Sequence, residues 1–337
     1  LKSYIILKDM ENLKLKITNM KTKNGRSESS INAYVRNIDK LSRMLEAEVD
    51  DKLTFLSNFN GIKEKLSMLH FTTQRNYYNA VIVALQAIEG NEKLIEEYQE
   101  IRNKLNKQYE DENATSVISA KQKDAFVEMS TIEDMLSKMK KELMADGLTT
   151  KTEMTKKQRN LFQMYVMISV LTKYPMRNDL GDGTSAINKK EYNALTDADK
   201  KDNNYLVIGK NTLFFCLNDY KTKKKYLEKC INVEDPALKR LLRQYVRFNG
   251  YGVLFKNSLG EPMNRNQITK ALTNTFENRI GKKISTTMLR KIYLSSKYGK
   301  CLEDMKKDAY VMGHDIQVAQ SVYIKQNEAS VDPVKMD

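Results

Sequence analysis

The chain has 337 residues, with 57 Lys and Arg against 43 Asp and Glu, a formal charge of +14 and a pI near 9.3. That length suits two domains of ordinary size, and the cationic excess suits a polyanionic partner, because surface Lys and Arg neutralise phosphates and release condensed counterions. No apolar run approaches a membrane span or a secretory signal, and Cys216, Cys230 and Cys301 with only His70 and His314 lack zinc-site spacing, so the expectation is a soluble intracellular protein in a reduced compartment, with no metal and no membrane partner.

The first third shows helical periodicity and no strong strand signal. In "SESSINAYVRNIDKLSRMLEA", Ile31, Tyr34, Ile38, Leu41 and Leu45 recur at three- and four-residue steps behind the capping candidates Ser29 and Ser30. "FTTQRNYYNAVIVALQAIEG" predicts a second helix, with Thr72 or Thr73 as cap, Tyr77, Val81, Ala84 and Leu85 inward, and Gly90 as the stop. "NEKLIEEYQEIRNKLNKQYEDE" predicts a third, so residues 1–111 read as a small helical domain.

"DENATSVISAKQKDAF" is polar, carries Asn113 and Ser116, and predicts a linker over 112–120. Helices resume in "TIEDMLSKMKKEL" and in the apolar "KQRNLFQMYVMISVLTKY", which ends at Tyr174 before Pro175. "NYLVIG", "NTLFFCLND" and "KYLEKCINV" are short, β-rich and separated by turn signals, and predict a three-stranded antiparallel meander over 204–233. The remainder reads as helices in "PALKRLLRQYVRF", "NRNQITKALTNTFENRI", "STTMLRKIYLSSKYG", "LEDMKKDAYVMG" and "DIQVAQSVYIK". The fold class expected is therefore mainly α with a small antiparallel β-meander, in two domains, 1–111 and 121–337.

Four separated segments carry chemistry: "YPMRNDL" with Arg177, "DYKTKKKY" with Lys221, "STTMLRKIYLSS" with Thr287 and Arg290, and "MGHDIQVAQSVY" with His314 and Tyr323. In this order and setting they resemble the catalytic segments of the tyrosine recombinases, the phage integrase-like DNA strand-transfer enzymes. The closing element, Gly-His with Tyr nine residues after the His, carries most of the likeness, and "LFKNSLGEPMNRNQITKAL" leading into "ISTTMLR" adds to it. The resemblance implies a helical core-binding domain followed by an α+β catalytic domain, double-stranded DNA as substrate and a homotetramer on synapsed DNA. It implies no cofactor. The "P-x-R-N-D" run resembles members from large DNA viruses, virophages and mobile elements.

The residue types suit that chemistry. A phosphodiester under attack needs its non-bridging oxygens neutralised, and the rigid forks of Arg177 and Arg290 suit this better than lysine does. Tyr323 can act as a covalent nucleophile and store the broken bond as a 3′-phosphotyrosyl linkage. The leaving 5′ oxygen requires a proton, a role the resemblance gives to Lys221. His314, expected at the N-terminus of the last helix, would hydrogen-bond a phosphate oxygen or handle the tyrosine proton, with the helix N–H groups adding positive potential.

Each residue also has a plainer reading. Arg177 can pair with Asp179, which would equally buttress a catalytic arginine, and Lys221 stands in a run with Lys223, Lys224 and Lys225 that suits a solvated turn. The chain departs from the family pattern at Thr287, where most members carry His; threonine can donate a hydrogen bond but carries no charge. An acidic residue three positions after the first arginine is also absent, the position being Leu180. DNA-contact candidates are Thr73, Arg75 and Asn76 at one helix start and Arg265 and Gln267 at another, with an ordinary capped first turn as the alternative at each. Competing functions are a type IB topoisomerase-like relaxation enzyme and a catalytically degenerate DNA-binding protein. The separate helical module favours recombination, and the tail 324–337 is a candidate for docking on a neighbouring subunit.

Overall fold

The computed structural model describes residues 2–20, 26–114, 118–147 and 153–324. They form two compact units, Leu1–Val117 and Ile118–Asp337.

The first unit is helical: α1 (Lys2–Asn19), α2 (Glu28–Met44), α3 (Phe59–Ser67), α4 (Phe71–Ala87) and α5 (Glu92–Ala114). Helix α4 is its centre. "YYNAVIVAL" buries Tyr77 through Leu85 with Asn79 alone only partly covered, since an apolar run on every face of a helix requires neighbours all round. Helix α2 contributes Ile31, Ile38 and Leu41 at the predicted spacing, and α5 buries Tyr98, whose hydroxyl donates to the Leu56 carbonyl at 2.8 Å. The caps differ from those expected. Ser27, not Ser29 or Ser30, accepts the Ser30 N–H to start α2, and His70 caps α4, its Nδ1 accepting the Thr72 N–H at 3.4 Å. Helix α1, not read from the sequence, adds Met10, Leu13 and Ile17 to the same core. Within 112–120, Asn113 belongs to α5, residues 118–119 are irregular and Ala120–Lys123 forms a helical turn, while Ser116 lies outside the described residues.

The second unit packs α6 (Met129–Ala145), α7 (Lys156–Lys173), α8 (Pro236–Asn249), α9 (Arg265–Ile280) and α10 (Thr286–Val311) with a small sheet. Helix α7, capped by the reciprocal Thr155–Gln158 box, is buried almost throughout from Phe162 to Thr172. The sheet is larger than the meander predicted. Strands β2 (Tyr205–Ile208), β3 (Leu213–Leu217) and β4 (Lys229–Asn232) pair antiparallel as expected, but β1 (Ser185–Asn188) adds to β2 in parallel and β5 (Gly252–Val253) adds antiparallel to β1, giving the mixed order β4-β3-β2-β1-β5. Four residues of "SAIN" and two of "GV" are too short for a periodicity signal. The lysine run is not strand either: Lys223–Tyr226 closes a helical turn, and β4 begins only at Lys229.

One further expectation is revised. The segments "STTMLRKIYLSSKYG" and "LEDMKKDAYVMG" form one helix of 26 residues, because Gly299 and Lys300 are accommodated within it. Cys216 and Cys230, cross-strand partners on β3 and β4 with Cα atoms 4.2 Å apart, are paired as a disulfide, and Cys301 is free. Facing positions of an antiparallel pair place two Cβ atoms within bridging distance, a proximity that a separation of 14 residues does not reveal. No helix is long and apolar enough to cross a membrane among the described residues.

Candidate active site

The site begins where α7 stops. Pro175 disfavours helix at Tyr174, and the chain re-enters as a single 3-10 turn, Asn178–Leu180, with Arg177 at its N-cap. Leu180 is buried and anchors the turn, while Arg177 remains exposed. Asn178 Nδ2 ties the turn to α9, donating to Thr269 Oγ1 at 2.6 Å and to the Arg265 carbonyl at 3.2 Å. Gly181 lies so close to the start of α9 that a Cβ there would stand 2.9 Å from the Arg265 backbone nitrogen, which explains a glycine with ordinary φ.

Asp179 is the hub of this turn and only 7 % exposed. Burial raises its pKa above the ordinary value; the positive charges of Arg265 and Arg177 and a hydrogen bond from the Lys221 backbone N–H pull the other way without cancelling it. That carboxylate therefore connects the Arg177 turn to the β3–β4 connection carrying Lys221. Among the neighbouring lysines, Lys223 Nζ donates to the Lys201 carbonyl and pairs with Asp202, and Lys225 lies over the Tyr226 ring. The lysine run is thus differentiated rather than uniformly solvated. Its backbone bond to Asp179 distinguishes Lys221.

Arg290 enters from α10, whose first turn is capped by the Ser285 hydroxyl accepting the Met288 N–H. Its guanidinium is half-buried and its pKa is lowered, first by burial and then by the like charge of Arg177, with Asp179 partly compensating. Arg290 Nη2 reaches Thr287 Oγ1 at 3.5 Å, so the two do share a face as predicted. Its Nε is buried without a hydrogen-bond acceptor among the described residues. Two guanidiniums that feel each other and one carboxylate electrostatically, with donor capacity to spare, suit a phosphate oxygen.

Arg265, a DNA-contact candidate, is held by two carboxylates: Nε lies 2.9 Å from Asp182 and Nη2 lies 3.2 Å from Asp219. It acts on the site electrostatically through Asp179. Gln267 is similarly engaged, its side-chain oxygen accepting the Asn264 N–H in a capping box. In the first unit Thr73 and Asn76 are exposed on the first turns of α4, while the Arg75 guanidinium lies 4.1 Å from the centroid of the Tyr109 ring.

His314 and Tyr323 form a second, separate group. Their rings stack at 4.8 Å with planes 13° apart. His314 Nδ1 lies 3.0 Å from the Asp315 carbonyl oxygen, which can only accept, so Nδ1 carries hydrogen. Nε2 of the neutral ring is then an acceptor, and its lone pair lies in the ring plane, away from a tyrosine stacked on the face. This geometry does not pass the Tyr323 proton to His314. The expected helix N-terminus is also altered: Asp315 caps Ile316–Val318 through its own carboxylate, and Ala319–Tyr323 continues as a π turn. Tyr323 is 61 % exposed.

The arginine group and the tyrosine group do not meet in this chain. Arg290 stands in the second turn of α10 and His314 lies beyond its end at Val311. At about 1.5 Å per residue the intervening helix spans roughly 30 Å. Sequence reasoning, reading two helices there, missed this separation, and it also missed Asn204, which is 4 % exposed and bonded to the Asp179 and Asp219 carbonyls. A single asparagine before a strand gives no pattern to find.

No family model and no curated protein matches the sequence. Among solved structures, the chain is similar to the XerH site-specific recombinase bound to difH substrate in a pre-cleavage complex, at 15% identity and a TM-score of 0.47 over 95% of this chain and 94% of that one. It is similar to the XerA recombinase at 14% identity and a TM-score of 0.31, over 96% and 95% of the two chains. Identity and score are low in both cases, and the functional reading stands on this chain's own residues.

Proposed function

We propose that this protein is a DNA strand-transfer enzyme of the tyrosine recombinase kind, acting on double-stranded DNA through a covalent phosphotyrosyl intermediate. The observation that carries the reading is the convergence, around the buried Asp179 carboxylate, of Arg177, Arg290 and the Lys221 turn from three distant parts of the chain.

In this reading Arg177 and Arg290 hold the non-bridging oxygens of the scissile phosphate. Tyr323, 61 % exposed, releases its phenolic proton to solvent as Oη attacks phosphorus, the bond to the 5′ oxygen breaks, and the 3′ phosphate stays on the tyrosine. Lys221 gives its proton to the departing 5′ oxygen, and reversal of the same step on a new 5′ hydroxyl rejoins the strands. His314 acts on phosphate rather than on the tyrosine: protonated, its Nε2 donates to a phosphate oxygen, with Nδ1 fixed by the Asp315 carbonyl. Thr287 supports Arg290 and adds a neutral hydroxyl. Thr73 and Asn76 contact DNA from the first turns of α4.

The two halves of the site meet either if α10 breaks or if Tyr323 enters the clamp of a second copy. Helix α10 is continuous over all 26 residues, and after Ile292 its buried residues reduce to Ala309. Delivery to a second copy breaks no helix, and it accords with an assembly of several chains on paired DNA duplexes.

The test is covalent capture. A library of nicked duplexes of random sequence is incubated with the full chain, denatured in detergent, and the protein-linked DNA is sequenced. Wild type is expected to retain a defined sequence and Tyr323→Phe none. Capture that survives in Tyr323→Phe, or no capture by wild type from any library, would overturn the reading.

A further inference from the structure

The hydrogen-bonding capacity of one buried side chain is fully used at the junction between the arginine turn and the lysine turn. Asn204 Nδ2 donates to the Asp179 carbonyl at 2.8 Å and to the Asp219 carbonyl at 2.8 Å, while Oδ1 accepts the Asn218 N–H and the Asp219 N–H, each at 2.8 Å. A primary amide offers two donors and two acceptor lone pairs, and here all four are taken. Its backbone is fixed as well: the Asn204 carbonyl accepts the Ser185 N–H at 2.9 Å, at the edge of the parallel β1–β2 pair. Thr184 Oγ1 adds a second bond to the Asp179 carbonyl at 3.3 Å.

We propose that Asn204 is a positioning residue that sets Lys221 against the arginine clamp, because three of its four side-chain bonds grip the 218–219 backbone just before Lys221 and the fourth grips the Arg177 turn at Asp179. This rests on the reading of Lys221 as the donor of the leaving-group proton. The residue touches no substrate; it acts by registering one turn against another. Its chemistry admits no close substitute. Aspartate keeps both acceptors but places a carboxylate against two carbonyl oxygens, and alanine removes a bond from four backbone groups in a buried place, leaving the Asp179 carbonyl only its longer bond from Thr184.

The consequence is specific to proton transfer. A bridging 5′ oxygen needs a proton to leave, whereas a bridging 5′ sulfur leaves as a thiolate without one. The full chain is therefore assayed in single turnover on a captured duplex made with oxygen or with sulfur at that position. Lys221→Ala is expected to lose roughly 100-fold or more on oxygen, the scale of general acid catalysis, and to recover to within about fivefold of wild type on sulfur. Asn204→Asp is expected to lose roughly 30-fold on oxygen at unchanged DNA affinity and to recover similarly on sulfur. If Lys221→Ala does not recover, the proton-donor reading itself falls. If Lys221→Ala recovers while Asn204→Asp is equally slow on both duplexes, or is as fast as wild type on oxygen, the positioning role is overturned. Should Asn204→Asp fail to fold, Asn204→Ser, which retains one donor and one acceptor, takes its place; loss of the folded state in both overturns the proposal, since it would make Asn204 a folding residue.

Discussion

The arginine pair shows why the identity of a cation matters as well as its charge. Arg290 is half-buried beside Arg177, and the second positive charge opposes its ionisation. Replacing it by lysine keeps the charge for DNA binding but loses the planar fork, so Arg290→Lys is expected to lower the single-turnover cleavage rate by about 100-fold, the scale seen when one oxyanion donor is removed, with the DNA dissociation constant nearly unchanged. Thr287→Val removes only a long contact to Arg290 and is expected to cost less than about tenfold on the same assay. Asp179 yields a prediction with a definite sign. Burial raises its pKa above 3.8 in the folded chain, so the ionised carboxylate is less favourable there than in the unfolded chain. The stability this group contributes is greatest below its ordinary pKa and declines as pH rises through the raised value. Asp179→Asn is therefore expected to unfold at the same or higher temperature than wild type at neutral pH, yet to cleave more slowly because the clamp loses its counter-charge. Wild-type cleavage should fall on acidification before an ordinary aspartate would titrate, and that limb should vanish in Asp179→Asn. Thermal unfolding and rate measured across pH check both statements.

Backbone contact between elements is where the site is most exposed to small changes. Gly181 packs against Asn264 and Arg265, and the nearest atoms to an added Cβ are backbone rather than flexible side chain. Gly181→Ala is expected to cost about 2 kcal/mol by overpacking and to lower the melting temperature by roughly 4–8 °C in a domain of this size, with a loss of cleavage from displacement of the Arg177 turn. This contact also shows what the sequence discloses and what it withholds. Helices α2, α8 and α9 were legible because each repeats its buried side chains at the helical period, α4 and α7 from long apolar runs with a cap or stop signal, and the three antiparallel strands from β-branched and aromatic runs between turns. Strands β1 and β5 were not, because they are defined by partners distant in sequence rather than by their own composition. The candidate catalytic residue types were readable, since two arginines, a lysine, a histidine and a tyrosine in this order resemble the set of a known chemistry. Their mutual geometry was not: the pairing of Arg265 with Asp182 and Asp219, and the bonds by which Asn204 joins two turns, come from partners distant in sequence.

At the scale of the whole molecule, the decisive feature is that the proposed phosphate clamp and the proposed nucleophile stand at opposite ends of α10. The helix offers Ser295, Ser296 and Gly299 as places where it would bend most readily, yet its hydrogen bonding runs through all three. Its far end presents apolar surface to solvent, with Tyr310, Val311 and Met312 exposed before the turn that leads to Tyr323. Exposed apolar side chains in sequence are costly unless something covers them in the working state, and a second copy of the chain is the covering that would also complete the site. The reading makes a prediction that does not depend on which DNA sequence is cleaved. A chain carrying Arg177→Ala and Arg290→Ala has a nucleophile but no clamp, and a chain carrying Tyr323→Phe has a clamp but no nucleophile. Each alone is expected to form no covalent adduct on a captured nicked duplex. Mixed in equal amounts, they are expected to form one, with the DNA linked to the arginine-deficient chain, which a size tag on one partner reports directly. A mixture as inactive as its components would instead place Tyr323 in the clamp of its own chain, and α10 would then have to break between Arg290 and His314 for the enzyme to work.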